Sequence, residues 1–128
     1  MIVVDASAVL DVLVGPPAPQ LAARLAGEAV LHAPHLLDTE VHHVLRRLEH
    51  LGELTTDAAT SSRDLFESLA IDRYPHAPLS DRVWELRRSL SAYDATYVAL
   101  AEALDAPLVT TDRRIAGASG IAAVIEAL

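Results

Sequence analysis

Apolar residues arrive along this chain in two rhythms. Short compact runs bounded by polar or turn residues read as buried strands, and longer segments with three- and four-residue spacing read as amphipathic helices. Met1 to Val4 is the first compact run, closed by Asp5-Ala6-Ser7 ahead of an apolar helical segment from Ala8 to Val14. Gly15-Pro16-Pro17 forces a turn, and Pro17 suits the first turn of a helix reaching Ala26. Glu28 to Leu31 reads as a second strand, ended by the polar His32. From Pro34 to Leu51 the residues Leu37, Val41, Val44, Leu48 and Leu51 form one stripe, and Gly52 stops the helix. Thr56-Asp57 opens another helix through Leu65, Phe66 and Leu69, followed by a short strand from Ala70 to Asp72. Ser80-Asp81 caps a helix bearing Leu79, Val83, Leu86 and Leu90, with Trp84 expected at the core margin or a subunit contact.

The next helix, Ala92 to Leu104, buries Val98, Leu100, Ala101 and Leu104. Asp105-Ala106-Pro107 breaks the chain, Leu108 to Thr110 reads as a buried strand, and Ile121 to Ile125 as the last one. Strands alternating with helices predict an α/β fold, a central parallel sheet of about four to five strands flanked by helices on both faces. The 128 residues are expected to form a single domain.

Composition narrows the chemistry. Hydrophobic residues make up 52% and aromatics only 4%, an Ala, Leu and Val core suited to helices packed on a sheet. Cysteine is absent, which excludes disulfides, thiolate metal sites and cysteine nucleophiles. All ten basic residues are Arg, so Schiff-base chemistry, Walker-type phosphate loops and a lysine-dependent phosphoacceptor domain are excluded too. With no signal-peptide pattern and no apolar run of roughly 18 residues, the protein is expected to be soluble and cytoplasmic. A net charge of -8 argues against indiscriminate nucleic-acid binding through a basic surface, so a nucleic-acid substrate would require local compensation of the acids.

Four acids carry the candidate chemistry. Asp5 and Asp112 stand at strand exits, where ligands of open α/β sheets bind. Asp94 lies in a helical first turn, and Glu40 on the core edge of its helix. Each has an ordinary structural reading as well: Asp5 as a helix cap, Asp94 as the acid of a Ser91-x-x-Asp94 capping box, Glu40 as a boundary residue paired with Arg47. If the four converge, their repulsion calls for a divalent cation, and all-oxygen ligation suits Mg²⁺ or Mn²⁺. Such an ion supports phosphodiester hydrolysis. Ser7 and Thr111, beside the strand-exit acids, are candidate supporting groups. Arg113 and Arg114 are either contacts for the substrate backbone or solvated charge. The six histidines lack a persuasive zinc set and read as surface or helix-edge residues. Two other readings stay open: a metal-dependent phosphatase, and a non-catalytic module whose acidic cleft binds an Arg-bearing peptide.

MIVVDASA at the start, Glu40, and YDATYVALAEAL followed by APLVTTD resemble the PIN domains, and among them the VapC-type toxin ribonucleases of toxin-antitoxin pairs. The likeness spans essentially the whole chain and is most specific in its last segment. It implies that Asp5, Glu40, Asp94 and Asp112 bind metal, with Ser7 and Thr111 in support. It further implies dependence on Mg²⁺ or Mn²⁺, endonucleolytic cleavage of RNA, a homodimer, and inhibition by a cognate antitoxin. Some members place another acid after the last aspartate. Here Arg113-Arg114-Ile115-Ala116 occupies that region, which weakens the expectation of a second tightly held ion.

Overall fold

The computed structural model covers Met1–Leu128. In chain order the elements are β1 (Val3–Val4), α1 (Ala6–Val14), α2 (Pro19–Ala26), β2 (Leu31–Pro34), α3 (Leu36–His50), α4 (Thr56–Ser68) and β3 (Ile71–Tyr74). A 3₁₀ turn (Ala77–Leu79) leads to α5 (Ser80–Glu85), α6 (Ala92–Leu104), β4 (Leu108–Thr110), α7 (Arg113–Ala116) and β5 (Ile125–Ala127). The five strands form one parallel sheet in the order β3-β2-β1-β4-β5. The first crossovers carry the chain from β1 outward to β2 and β3, and the next returns it to the other side of β1. Right-handed crossovers in opposite directions place their helices on opposite faces. Accordingly α1, α3 and α4 pack on one another, and α5 packs with α6.

Apolar β1 and β4 form the centre, with Ile2, Val3, Val4, Leu108 and Val109 fully buried. Against them lies α6, in which every residue from Ala95 to Ala101 is buried. Three alanines in that run let the helix approach the sheet closely, and its middle two turns are enclosed on all sides. Its left-handed C-cap, Asp105 (φ 50°), turns the chain towards β4.

Several boundaries depart from the sequence pattern, most of them because of a partner brought near by the fold. Pro19, not Pro17, starts α2. The second strand lies three residues later than expected, at Leu31–Pro34. Glu28 is instead occupied outside the sheet by Arg24 and the N-terminal amine. His32 does not end the strand but sits buried within it, because Tyr74 Oη lies 2.8 Å from its Nδ1. Leu45, rather than Val44 and Leu48, joins Leu37 and Val41 on the fully buried face of α3, and Leu51 is exposed. The fifth helix stops at Glu85, where the Trp84 carbonyl accepts from both the main chain and the guanidinium of Arg87. Trp84 is 68% exposed beneath that guanidinium instead of at the core margin. The last strand begins only at Ile125, since Ala122 N donates to the Glu102 carboxylate and pins the preceding segment to α6. No helix is long and apolar enough to cross a membrane.

Candidate active site at the carboxyl edge of the sheet

Strand β1 has neighbours reached by crossovers in opposite directions, so a crevice opens between the carboxyl ends of β1 and β4, where ligands bind in folds of this topology. Parallel pairing of Val3 with Leu108 and Val4 with Val109 brings Asp5 level with Thr110, and Asp5 N donates to the Val109 carbonyl. Residues 105 positions apart thus meet as direct neighbours.

The Asp5 carboxylate is only 5% exposed. One oxygen accepts from Ser7 Oγ at 2.7 Å and from Ala8 N at 3.0 Å, and the other accepts from the hydroxyl of Thr110. The capping role is therefore realised without using up the carboxylate. Ser7 Oγ also accepts from Thr111 N, and Thr110 Oγ1 from Asp112 N, so the two strand exits are laced together. The hydroxyl that supports Asp5 across the crevice belongs to Thr110, whereas Thr111, the expected residue, contributes through its main chain.

Glu40 stands on the second turn of α3 and accepts from Tyr97 Oη at 2.6 Å. The start of α3 lacks a cap of its own, and His76 Nε2 accepts from Leu36 N in its place, steadying the turn that presents Glu40. Asp94 occupies the first turn of α6, where Ser91 Oγ accepts from its main-chain N–H. Asp112 caps α7, accepting from Arg114 N, and both its oxygens take hydrogen bonds from the Arg114 guanidinium.

The four acids feel one another. Burial raises the Asp5 pKa above the ordinary carboxylate value, against the lowering effect of its hydrogen bonds, and the Asp94 charge adds to the rise. Glu40 is raised by burial, opposed by the Tyr97 hydroxyl, and then by the charges of Asp94 and Asp5. Asp94 is raised by burial and by Asp112. Only Asp112 is lowered, by Arg114. The Tyr97 hydroxyl, buried and donating to a carboxylate, is pushed far above its usual pKa and remains a donor. The cluster is not closed into a ready-made coordination set of three or more side chains. Arg114 holds both oxygens of Asp112. The donor chemistry fits a hard divalent ion: oxygen ligands only, and mutually repelling acids of which Asp5, Glu40 and Asp94 have no basic side chain paired with them.

Sequence reasoning missed Tyr97 and Thr110. Tyr97 was legible in part, three residues after Asp94 and so on the same side of α6. Thr110 was hidden by its neighbour Thr111, which is adjacent to Asp112 but has the wrong strand parity to reach Asp5.

Fold and site together define a doubly wound α/β domain that gathers carboxylates at the topological switch point. The family profile of the PIN domain matches residues 2–121, and the chain belongs to that family. Over 126 residues it is 46% identical to ribonuclease VapC1 of Mycobacterium tuberculosis H37Rv, covering 97% of this chain and 95% of that one. Its fold is shared with the sarcin-ricin loop cleaving toxin VapC20 of M. tuberculosis, with TM-score 0.69, 19% identity, and coverage of 97% of this chain and 98% of that one. A toxin-antitoxin complex from Klebsiella pneumoniae contains a chain with TM-score 0.68 and 17% identity, covering 100% of this chain and 98% of that one.

Proposed function

We propose that this protein is a divalent-metal-dependent endoribonuclease toxin that hydrolyses RNA phosphodiester bonds in the cytoplasm and is restrained by a cognate antitoxin. The observation that carries the reading is the buried Asp5 carboxylate at the β1/β4 switch point, linked by charge to Glu40, Asp94 and, through Asp94, to Asp112. The high identity to a relative named a ribonuclease supports RNA as the substrate class, and the shared fold with a chain of a toxin-antitoxin complex supports the partner. A homodimer and one catalytic unit spanning residues 1–128 complete the proposal.

Asp5, Glu40, Asp94 and Asp112 would hold Mg²⁺ or Mn²⁺. When bound there, the ion would supply charge neutralisation of the acids, polarisation of a phosphodiester and activation of water. The chain's own contribution is preorganisation. Ser7 and Thr110 fix the two Asp5 oxygens, Tyr97 fixes Glu40, and Ser91 sets the turn that carries Asp94. Raised pKa values on Asp5, Glu40 and Asp94 make their deprotonation, and hence ion binding, weaken at a higher pH than ordinary carboxylates would. Arg113 and Arg114 would supply cationic contacts to a phosphate backbone.

Asp94→Asn preserves the main-chain donor to Ser91 and so the cap of α6, yet it removes one ligand. The expected result is loss of RNA cleavage with a circular-dichroism spectrum like that of the parent. Near-normal cleavage by this variant would sink the assignment. Release of phosphate from a chromogenic ester, without cleavage of labelled RNA, would instead mark a phosphatase.

A further inference from the structure

Three arginines carry the side-chain cross-links of this fold. Arg82 bonds to Glu102, to Glu85 and to the Gly120 carbonyl; Arg73 bonds to Asp38 and the Ile71 carbonyl and lies over the Phe66 ring; Arg24 joins Glu28 to Glu126. Each ties separate elements together. Arg114 does not. Its side chain is 87% exposed, and its hydrogen bonds go only to Asp112, two residues before it: Nε to Oδ1 at 3.0 Å and Nη2 to Oδ2 at 2.6 Å. No other side chain bonds to that carboxylate, whose remaining donor is the Arg114 main chain at 3.0 Å. An ion pair that holds no part of the fold together, on an acid the proposed ion site requires, calls for a different role.

The geometry points to Arg114 as a displaceable internal counter-ion: it occupies both Asp112 oxygens while the acid cluster lacks a cation, and on exchange with a divalent ion its guanidinium is freed to take a phosphate oxygen of the RNA. This rests on the reading of the four acids as an ion site. The two oxygens cannot serve an arginine fork and a divalent ion equally well, and the cation repels the guanidinium at that distance. Once released, Arg114 stays tethered beside the cluster, and the fork that fitted a carboxylate fits a phosphate. Ion and RNA binding are then coupled through one side chain: Arg114 opposes the ion alone and favours the ion together with RNA, reciprocally. The inhibited, metal-poor state and the substrate-ready state differ by one exchange of partners.

The test is Arg114→Ala, which keeps the main-chain N–H that caps α7. Calorimetric titration with Mn²⁺ alone, without RNA, should give a Kd lower than that of the parent by roughly two- to fivefold, the scale of an exposed bidentate pair. At saturating Mn²⁺ the same variant should show a raised KM for RNA, with the larger part of the loss in KM and not in kcat. As an independent sign, the Arg114 Nε–H resonance of the parent should shift when Mg²⁺ is added. Arg114→Lys should fall between parent and Ala in both measurements. Equal or weaker Mn²⁺ binding in Arg114→Ala, or an unchanged KM, overturns the counter-ion role. Asp94→Asn in the same titration separates the two levels. If it loses Mn²⁺ while Arg114→Ala does not differ from the parent, only the counter-ion role falls; if Asp94→Asn binds as the parent does, the acid cluster is not the ion site and both readings fall.

Discussion

Thr110→Val removes one hydroxyl and almost no volume, and the structure specifies what it should cost. Thr110 is fully buried; its hydroxyl donates to the buried Asp5 carboxylate and accepts from Asp112 N. Losing a hydrogen bond to a charged group costs about 1.5–3 kcal/mol, and leaving the Asp112 N–H without its acceptor costs about 1 kcal/mol more. Burying a methyl in place of the hydroxyl returns about 0.8 kcal/mol. The expected net loss is therefore about 2–3 kcal/mol at neutral pH, a fall in Tm of about 10 °C for a domain of this size. The loss should also depend on pH. The Thr110 hydroxyl lowers the Asp5 pKa, so the variant raises the folded-state value further above that of the unfolded chain. A group raised in this way binds more protons when folded, so stability declines as pH rises through its folded pKa. The gap between variant and parent should thus be widest at neutral pH and narrow at acid pH, once the raised Asp5 carboxyl is protonated in both. Urea unfolding at the two pH values measures it. A gap below about 1 kcal/mol at neutral pH, or one of the same size at both, would refute the claim that Thr110 supports an ionised Asp5.

Asp5→Asn should be stabilising: Asp5 is raised mainly by burial, so its charge weakens the fold as pH rises through its folded pKa, and the amide should raise Tm at pH 7, with the gain vanishing at acid pH where Asp5 is protonated, while RNA cleavage is lost. A lower Tm at pH 7 would show that the hydrogen bonds of Asp5 outweigh its desolvation. Tyr97→Phe keeps the ring packed but takes the donor from Glu40, which should raise the Glu40 pKa further and weaken Mn²⁺ binding by about tenfold, as loss of an outer partner does at metal sites. Calorimetry reads this directly, and unchanged affinity would exclude Glu40 or its orientation from the ion site.

Local pattern was enough for the architecture. Compact apolar runs ending in Asp5 and Thr110, separated by helices with three- and four-residue periodicity, specify a parallel α/β sheet, and YDATYVALAEAL specifies a helix burying Val98, Leu100 and Ala101. Ser91 as cap and Asp105-Ala106-Pro107 as break were legible because capping and turn chemistry are local. Boundaries failed where a distant partner overrode a local preference: His32 is tolerated in β2 by Tyr74, and Ile121 to Ala123 are kept out of the sheet by Glu102. Neither partner lies within the window that a periodicity argument inspects.

The sequence by itself determined which residue types are available for chemistry: acids and arginines, no lysine and no cysteine, with Asp5 and Asp112 at strand ends and Asp94 at a helix start. Only the tertiary structure decided who meets whom. Pairing β4 against β1 sets Thr110 across from Asp5, Tyr97 of α6 reaches Glu40 of α3, and the short α7 turns Arg114 back onto Asp112. The physical reason is that strand order and crossover direction are collective properties of the sheet. No residue encodes them singly, yet they choose the neighbours that fix each carboxylate and shift its pKa.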